Sequence, residues 1–210
     1  MPDLFDIPVI PGLAERADVV DPGEETALVA AIGAFDLSPF RFHQWTGKRR
    51  TQSFGWSHDF QSGMLVPGPP LPEWLAAVRD RTVRAFGLDP SAFVEALIIR
   101  YDPGAGIGWH RDRPDYADII GLSLGSPAVM RFRRRNGCAF RRATLTLAPR
   151  GAYRLSGAAR HDWEHSIAAA DSGTRWSLTF RSLSAAGRAR ARAGPDPVNA
   201  NADADVSGSR

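Results

Sequence analysis

Between Phe93 and Leu183, short runs of β-forming residues follow one another, each closed by turn residues, at roughly the 8–12-residue spacing of sandwiches and barrels. The runs are Leu97–Tyr101, Ile119–Leu124, Val129–Arg133, Ala143–Leu147, Ala152–Leu155, His165–Ala168 and Arg175–Phe180. Pro103-Gly104, Gly125-Ser126-Pro127, Asn136-Gly137 and Ser172-Gly173 punctuate them. Asn-Gly between Arg-rich strand ends predicts a tight hairpin. The pattern predicts a mainly β fold with supporting helices, its core a jelly-roll-like double sheet packed on N-terminal helices.

Two helices are expected before residue 90. Asp21-Pro22-Gly23-Glu24 combines a capping Asp, an early Pro and acids in the first turn, and Ala27, Leu28, Ala31 and Ile32 follow at helical spacing. A second helix starts near Pro72 and carries Trp74, Leu75, Val78, Val83 and Phe86 before Gly87. Phe40–His43 and Ser53–Trp56 read as short strands, with Thr46–Arg50 as the turn between them. The stretch 184–210 has no aromatic residue and is rich in Ala, Gly, Pro and charge, so it reads as a disordered tail. One domain is expected, with 1–92 its N-terminal extension and 93–183 its core.

Hydrophobic residues make up 43% of the chain, which excludes wholesale disorder, and no run approaches the ~18 apolar residues of a membrane span. The start lacks the basic and apolar regions of a secretory signal, and the single Cys138 cannot form an internal disulfide. A cytoplasmic, monomeric protein without membrane association is expected. Every one of the 26 basic residues except Lys48 is arginine. Arg131, Arg133, Arg134, Arg135, Arg141, Arg142, Arg150 and Arg154 follow one another with no acid in between. Such a run suits a polyanion, although it can equally be the solvated face of a hairpin.

His110 and Asp112, two positions apart on extended backbone, project to one side, and His165 comes from a different strand. Two imidazoles and one carboxylate can occupy one face of an octahedral iron and leave positions for substrate and O2. The mixed donors suit Fe(II) better than a structural zinc, which favours thiolates. In Arg175–Arg181, Trp176, Leu178 and Phe180 alternate with Arg175, Ser177, Thr179 and Arg181. The two guanidiniums therefore share a face, about 20 Å apart at ~3.3 Å per residue. Taken alone, such a strand also fits a sheet edge with a wet Arg face. With an iron site, it offers a charged donor for the remote carboxylate of 2-oxoglutarate.

Arg100-Tyr101-x-x-Gly104, His110-x-Asp112, Ser123-Leu124-Gly125, Arg160-x-x-Trp163-x-His165 and Arg175-x-Trp-Ser-Leu-Thr-Phe-Arg181 together resemble the AlkB-like 2-oxoglutarate and Fe(II)-dependent dioxygenases. The resemblance covers about 93–183 and, more loosely, 38–60, where the family keeps its substrate-facing lid. It implies a double-stranded β-helix enzyme using Fe(II), 2-oxoglutarate and O2. His110, Asp112 and His165 would ligate iron and carry the catalysis. Arg175 would take the distal carboxylate of 2-oxoglutarate with help from the Tyr101 hydroxyl, and Arg181 would lie near the other carboxylate and the substrate. In the lid, Trp45, Arg49 and Phe54 would contact the substrate strand; apart from the resemblance, the basic run offers Arg131 and Arg133 as further phosphate contacts. The chain departs from the family at Ile99 and Ser177, where many relatives have Asn, and at Pro114, where several repair members carry a base-reading acid.

The expected activity is oxidative dealkylation of bases in DNA or RNA, releasing formaldehyde, succinate and CO2. The alternatives are the same oxidation of a protein side chain or small molecule, and a non-catalytic binding module on the same fold.

Overall fold

The computed structural model of the chain describes residues 10–42, 45–59 and 64–193. It begins with strand β1 (Leu13–Arg16), helix α1 (Pro22–Gly33), strands β2 (Ser38–Phe42), β3 (Trp45–His58) and β4 (Leu65–Pro67), and helix α2 (Glu73–Arg84). Strands β5 (Phe93–Tyr101), β6 (Ile107–His110), β7 (Tyr116–Gly125), β8 (Ala128–Asn136), β9 (Ala139–Leu147) and β10 (Ala152–Leu155) come next. Helix α3 (Gly157–His161), strands β11 (Glu164–Ile167) and β12 (Arg175–Leu183), and helix α4 (Ala185–Ala193) complete it.

The major sheet runs β1-β10-β7-β12-β5-β3-β2, with β4 attached to β3, and the minor sheet runs β6-β11-β8-β9. This is the expected double sheet with helical support. No described helix is long and apolar enough to cross a membrane.

Strand parity decides what each face meets. On β12 and β5, the even positions Leu178, Phe180, Ala96 and Ile98 pack against Leu28 and Ile32 of α1 and Leu75 and Val83 of α2. Burying each large apolar side chain there stabilises the fold by about 1.5–3 kcal/mol. The odd positions, Arg175 to Arg181 and Glu95 to Tyr101, turn instead toward the minor sheet. A second apolar cluster, with Ile119, Met130, Phe132, Leu145 and Trp163, fills the remaining space on that side. Each sheet residue thus has one assignable neighbourhood, and a slip of one residue would exchange them.

Local chemistry fixes the helix ends. Asp21 accepts from the Glu24 N–H while the Glu24 side chain accepts from the Asp21 N–H, closing a capping box ahead of Pro22. The α1 residue Glu25 then accepts the Gly125 N–H at 2.7 Å, tying the helix to the end of β7. The β8–β9 hairpin pairs Asn136 with Ala139, and Gly137 takes the left-handed conformation the tight turn needs (φ +59°).

Three expectations are corrected. Thr46–Arg50 is not a turn but part of the long β3, because its charges fall on alternate sides: Lys48 and Arg50 face out and Arg49 faces in. The β12 strand is not a wet edge, since β5 and β7 pair along both its sides and Arg175, Ser177 and Thr179 are buried. The start of the stretch read as a disordered tail is helix α4, made of the good helix formers Ala and Arg. It docks through buried Gly187, through Ala191 against the cluster of Leu65, Tyr116 and Leu183, and through an ion pair from Arg190 to Asp115. Residues 194–210, and His43 in the lid, lie outside the described residues.

Candidate active site

The pairing of β6 with β11 sets His165 directly opposite His110, and directly opposite residues of an antiparallel pair have side chains about 5 Å apart. The two rings lie 4.3 Å apart between centroids, tilted by 57°. Asp112, just past the end of β6, brings its Oδ2 to 3.5 Å from His165 Nε2. One potential ligand atom from each of the three lies within 4.8 Å of the others. His110 Nδ1 sits 2.9 Å from the Gly108 carbonyl oxygen, to which it donates, so Nε2 is the nitrogen left for a metal.

Burial acting first, with His110 beside it, pushes His165 down to about 4, so its ring is neutral near pH 7. Burial would raise the Asp112 carboxyl, but Arg181 and the two imidazoles hold it well below the usual carboxylate range. A neutral imidazole at His165 and an ionised carboxylate at Asp112 are protonation states a metal needs. The donor set and its open side fit a ferrous ion.

Arg181 joins this trio to the rest of the site. Its Nε and Nη2 donate to Asp112 Oδ1 at 3.2 and 3.0 Å, and its Nη1 donates to Glu95 Oε1 at 3.2 Å. At the other end of β12, buried Arg175 donates from Nε to Ser123 Oγ at 3.0 Å, and its guanidinium lies 5.1 Å from the Tyr101 ring centre. Its Nη1 and Nη2 have no hydrogen-bond partner. Two bare, buried guanidinium nitrogens are costly unless an anion meets them, and they fit the carboxylate of 2-oxoglutarate.

Beside Arg181 lies a cavity of about 730 Å³, within the range of small-molecule sites; Arg175 does not line it but lies against Tyr101, which does. Tyr101, Ile99, Leu97 and Glu95 line it in a row along β5, and it takes in the metal trio, Arg49, Trp109 and Arg181. Tyr153 walls the end near Tyr101 and Arg175. Its ring fits because residue 121 is glycine, where a Cβ would collide with it. Burial raises the Tyr153 hydroxyl to about 12, so it stays protonated.

The remaining residues singled out in the sequence divide. Arg49 faces the cavity, buried, with its guanidinium 3.8 Å above the centre of the Phe40 ring. Phe54 is a correction: its even position on β3 turns it into the helix-facing core, edge-on to Phe35 at 5.5 Å, so it cannot stack a substrate. The Trp45 side chain lies outside the described residues. Arg131 and Arg133 lie on the outer face of the minor sheet, over the ring of Trp109 at 5.3 and 4.5 Å. Arg131 donates to Ser166 Oγ, and Arg133 pairs with Glu164 at 2.7 Å.

Sequence reasoning missed Glu95, Tyr116, Tyr153 and His58, all of which line the cavity. Glu95 left a signal, as the only acid in the apolar run Phe93–Ile99. Buried Asp115 was also passed over. It lies 3.7 Å from His58 Nδ1 and 3.9 Å from Arg113 Nε and receives Arg190.

Known proteins point the same way. The family described as the 2OG-Fe(II) oxygenase superfamily matches residues 40–181. An uncharacterised protein, L905, of Acanthamoeba polyphaga mimivirus is 28% identical over 71% of this chain and 70% of its own length. The tRNA (carboxymethyluridine(34)-5-O)-methyltransferase ALKBH8 of Mus musculus is 28% identical over 75% of this chain. The alkylated DNA repair protein ALKBH8 homolog of Arabidopsis thaliana is 28% identical over the same share. The aligned part spans only 24% of the mouse protein and 51% of the Arabidopsis one. Among solved structures, OsALKBH1 superposes with a TM-score of 0.65 at 15% identity, covering 84% of this chain and 99% of its own. That likeness extends to the fold.

Proposed function

The chain belongs to the 2OG-Fe(II) oxygenase superfamily, and from that footing we propose that it oxidatively removes alkyl groups from bases of DNA or RNA. It is an AlkB-like oxidoreductase whose cofactors are Fe(II), 2-oxoglutarate and O2. We assign His110, Asp112 and His165 to the iron, and Arg175, Tyr101 and Arg181 to 2-oxoglutarate. When bound, iron with 2-oxoglutarate and O2 supplies oxidation of a methyl C–H bond, giving succinate, CO2 and a hydroxymethyl group that departs as formaldehyde.

The chain's own groups prepare that chemistry. Gly108 fixes the His110 tautomer, and Arg181 keeps Asp112 ionised and aimed. Arg175 would close its two free nitrogens on the distal carboxylate, with the protonated Tyr153 hydroxyl beside it. The β5 row then leaves the substrate the opposite end of the cavity, near Glu95.

The observation that carries the nucleic-acid reading is the arginine-bearing outer face of the minor sheet, against Trp109 of β6. On that face Arg133 stands opposite Arg142 across the β8–β9 ladder, while Arg134 and Arg141, also opposite each other, turn to the other face against Trp163. Like charges set directly opposite are unfavourable, and a polyphosphate would offset them. The names of the mouse and Arabidopsis relatives, which speak of tRNA and of alkylated DNA, support the same class.

The test is formaldehyde release across methylated DNA and RNA oligonucleotides, with iron and 2-oxoglutarate supplied or withheld. Release is expected only with both. Replacing Arg133 and Arg142 by Gln should flatten the dependence of log affinity on log salt by about 1–2. The second reading, a protein or small-molecule substrate, draws on Phe54 turning away from the cavity. Formaldehyde from methylated peptides or metabolites alone would establish it instead.

A further inference from the structure

We propose that Arg160 and Ser184 are positioning residues for the iron site: together they take up the backbone carbonyls of residues 113–116 and so hold Asp112 within reach of His165. The proposal rests on the iron assignment above and says what keeps that ligand in place.

Asp112 lies between β6 and β7, outside any strand, so no sheet register fixes its backbone. Arg181 aims its carboxylate, but the reach of that carboxylate depends on where the loop carries the Cα. The carbonyls of such a connection are ordinarily left to water. Here successive carbonyls are taken from two sides. Arg160 Nη2 donates to the carbonyl oxygen of Arg113 and, at 3.0 Å, to that of Tyr116. Ser184 Oγ donates to the Pro114 carbonyl at 2.8 Å, and the Ser184 backbone N–H donates to the Asp115 carbonyl, also at 2.8 Å.

The two grips tie the loop to elements on which the rest of the site depends. Arg160 belongs to α3, which leads into β11 and His165, so one guanidinium joins the segment of one assigned iron ligand to the segment of another. It is 3% exposed, and the nearby Asp112 charge offsets part of what burial costs the cation. An apolar side chain would pack there at less cost, so the guanidinium is accounted for by the carbonyls it binds. Ser184 follows β12 and leads into α4. Its Oγ accepts the Gly187 N–H at 3.1 Å, capping the helix, while it donates to Pro114. Gly187 lets the helix lie on the loop, since a Cβ there would meet the Asp115 carbonyl oxygen at 2.1 Å. Helix α4 is thereby seated on the loop that follows Asp112, and one hydroxyl serves both the helix start and the loop.

The test is Mn(II) binding to the full chain, followed by the electron paramagnetic resonance signal of the free ion. Arg160→Met is expected to weaken Mn(II) binding at least about tenfold and Ser184→Ala about fivefold, the scale on which groups that orient metal ligands act. Ser184→Thr, which keeps the hydroxyl, should bind as the parent does. Val83→Ala, in the helix-facing core, lowers stability without touching the loop and should also bind as the parent does, which separates positioning from general loosening. If Arg160→Met does not fold, the Ser184 pair decides. Variants that bind Mn(II) within about twofold of the parent, or a Val83→Ala that loses as much as they do, would overturn the proposal and leave the iron assignment standing. A parent that binds no Mn(II) would overturn both.

Discussion

Arg175 and Arg181 stand on the same strand and the same face, both deeply buried, yet their surroundings are opposite. Arg181 meets two carboxylates, Asp112 and Glu95, which hold its proton more firmly than usual despite burial. Arg175 has one serine hydroxyl, an aromatic face and two bare nitrogens. A buried cation whose hydrogen bonds are filled by the protein acts as architecture, here aiming Asp112, the carboxylate proposed to hold the iron. A buried cation left short of anions is a receptor. The pairing of charges, more than the identity of the residue, separates the two roles.

The largest expected effect follows from removing the matched member. Arg181→Met would leave Asp112 and Glu95 buried without their cation, and urea unfolding of the metal-free protein should show a loss of about 3–5 kcal/mol. Arg175→Met should behave in the opposite sense. Metal-free stability should hold or rise, while 2-oxoglutarate affinity, followed by its thermal stabilisation of the Mn(II)-loaded protein, should fall at least about 100-fold. If both variants unfold alike, the distinction between the two arginines fails.

The parity of β12 was readable from its alternation, and it placed both arginines correctly on one face. What the alternation could not say was whether that face meets water or a second sheet, because pairing partners come from distant sequence. The same gap hid Glu95, whose charge looks solvent-facing until Arg181 is set opposite it in the β5–β12 register. The spacing of His110 and Asp112 was legible because it is local, whereas their meeting with His165 depends on the β6–β11 register. Phe54 was misplaced because β3 continues unbroken through Thr46–Arg50, which fixes the side to which residues as far as Phe54 turn; beyond it Gly55 (φ +73°) resets the alternation and His58 comes round to the cavity. Tyr153 left no mark in its own segment, since its room is made by Gly121 on a neighbouring strand.

Asp115 sharpens the rule from the side of the anion. It is 1% exposed and draws a cation from α4, so Arg190→Gln should cost about 1 kcal/mol in unfolding free energy. The loss is moderated by Arg113 and His58 nearby. The smallest effect is a pH slope. Glu95 has its proton affinity raised on folding, so its favourable contribution is complete below its ordinary pKa and fades as pH rises through the folded value. Thermal midpoints from pH 4 to 8 should therefore show Glu95→Gln gaining on the parent as pH increases. A constant difference would mean that Arg181 keeps Glu95 ionised throughout.

Because Thr179 and Arg181 reach the cavity, and Arg175 its place against Tyr101, only through odd positions of a strand buried on both faces, this strand tolerates change in length unequally. One residue gained or lost within it would point tryptophan, leucine and phenylalanine at the iron side and drive two cations among the helices. Two residues would restore the facing and merely shift the spacing. Descendants of this chain should therefore vary here in even steps or not at all.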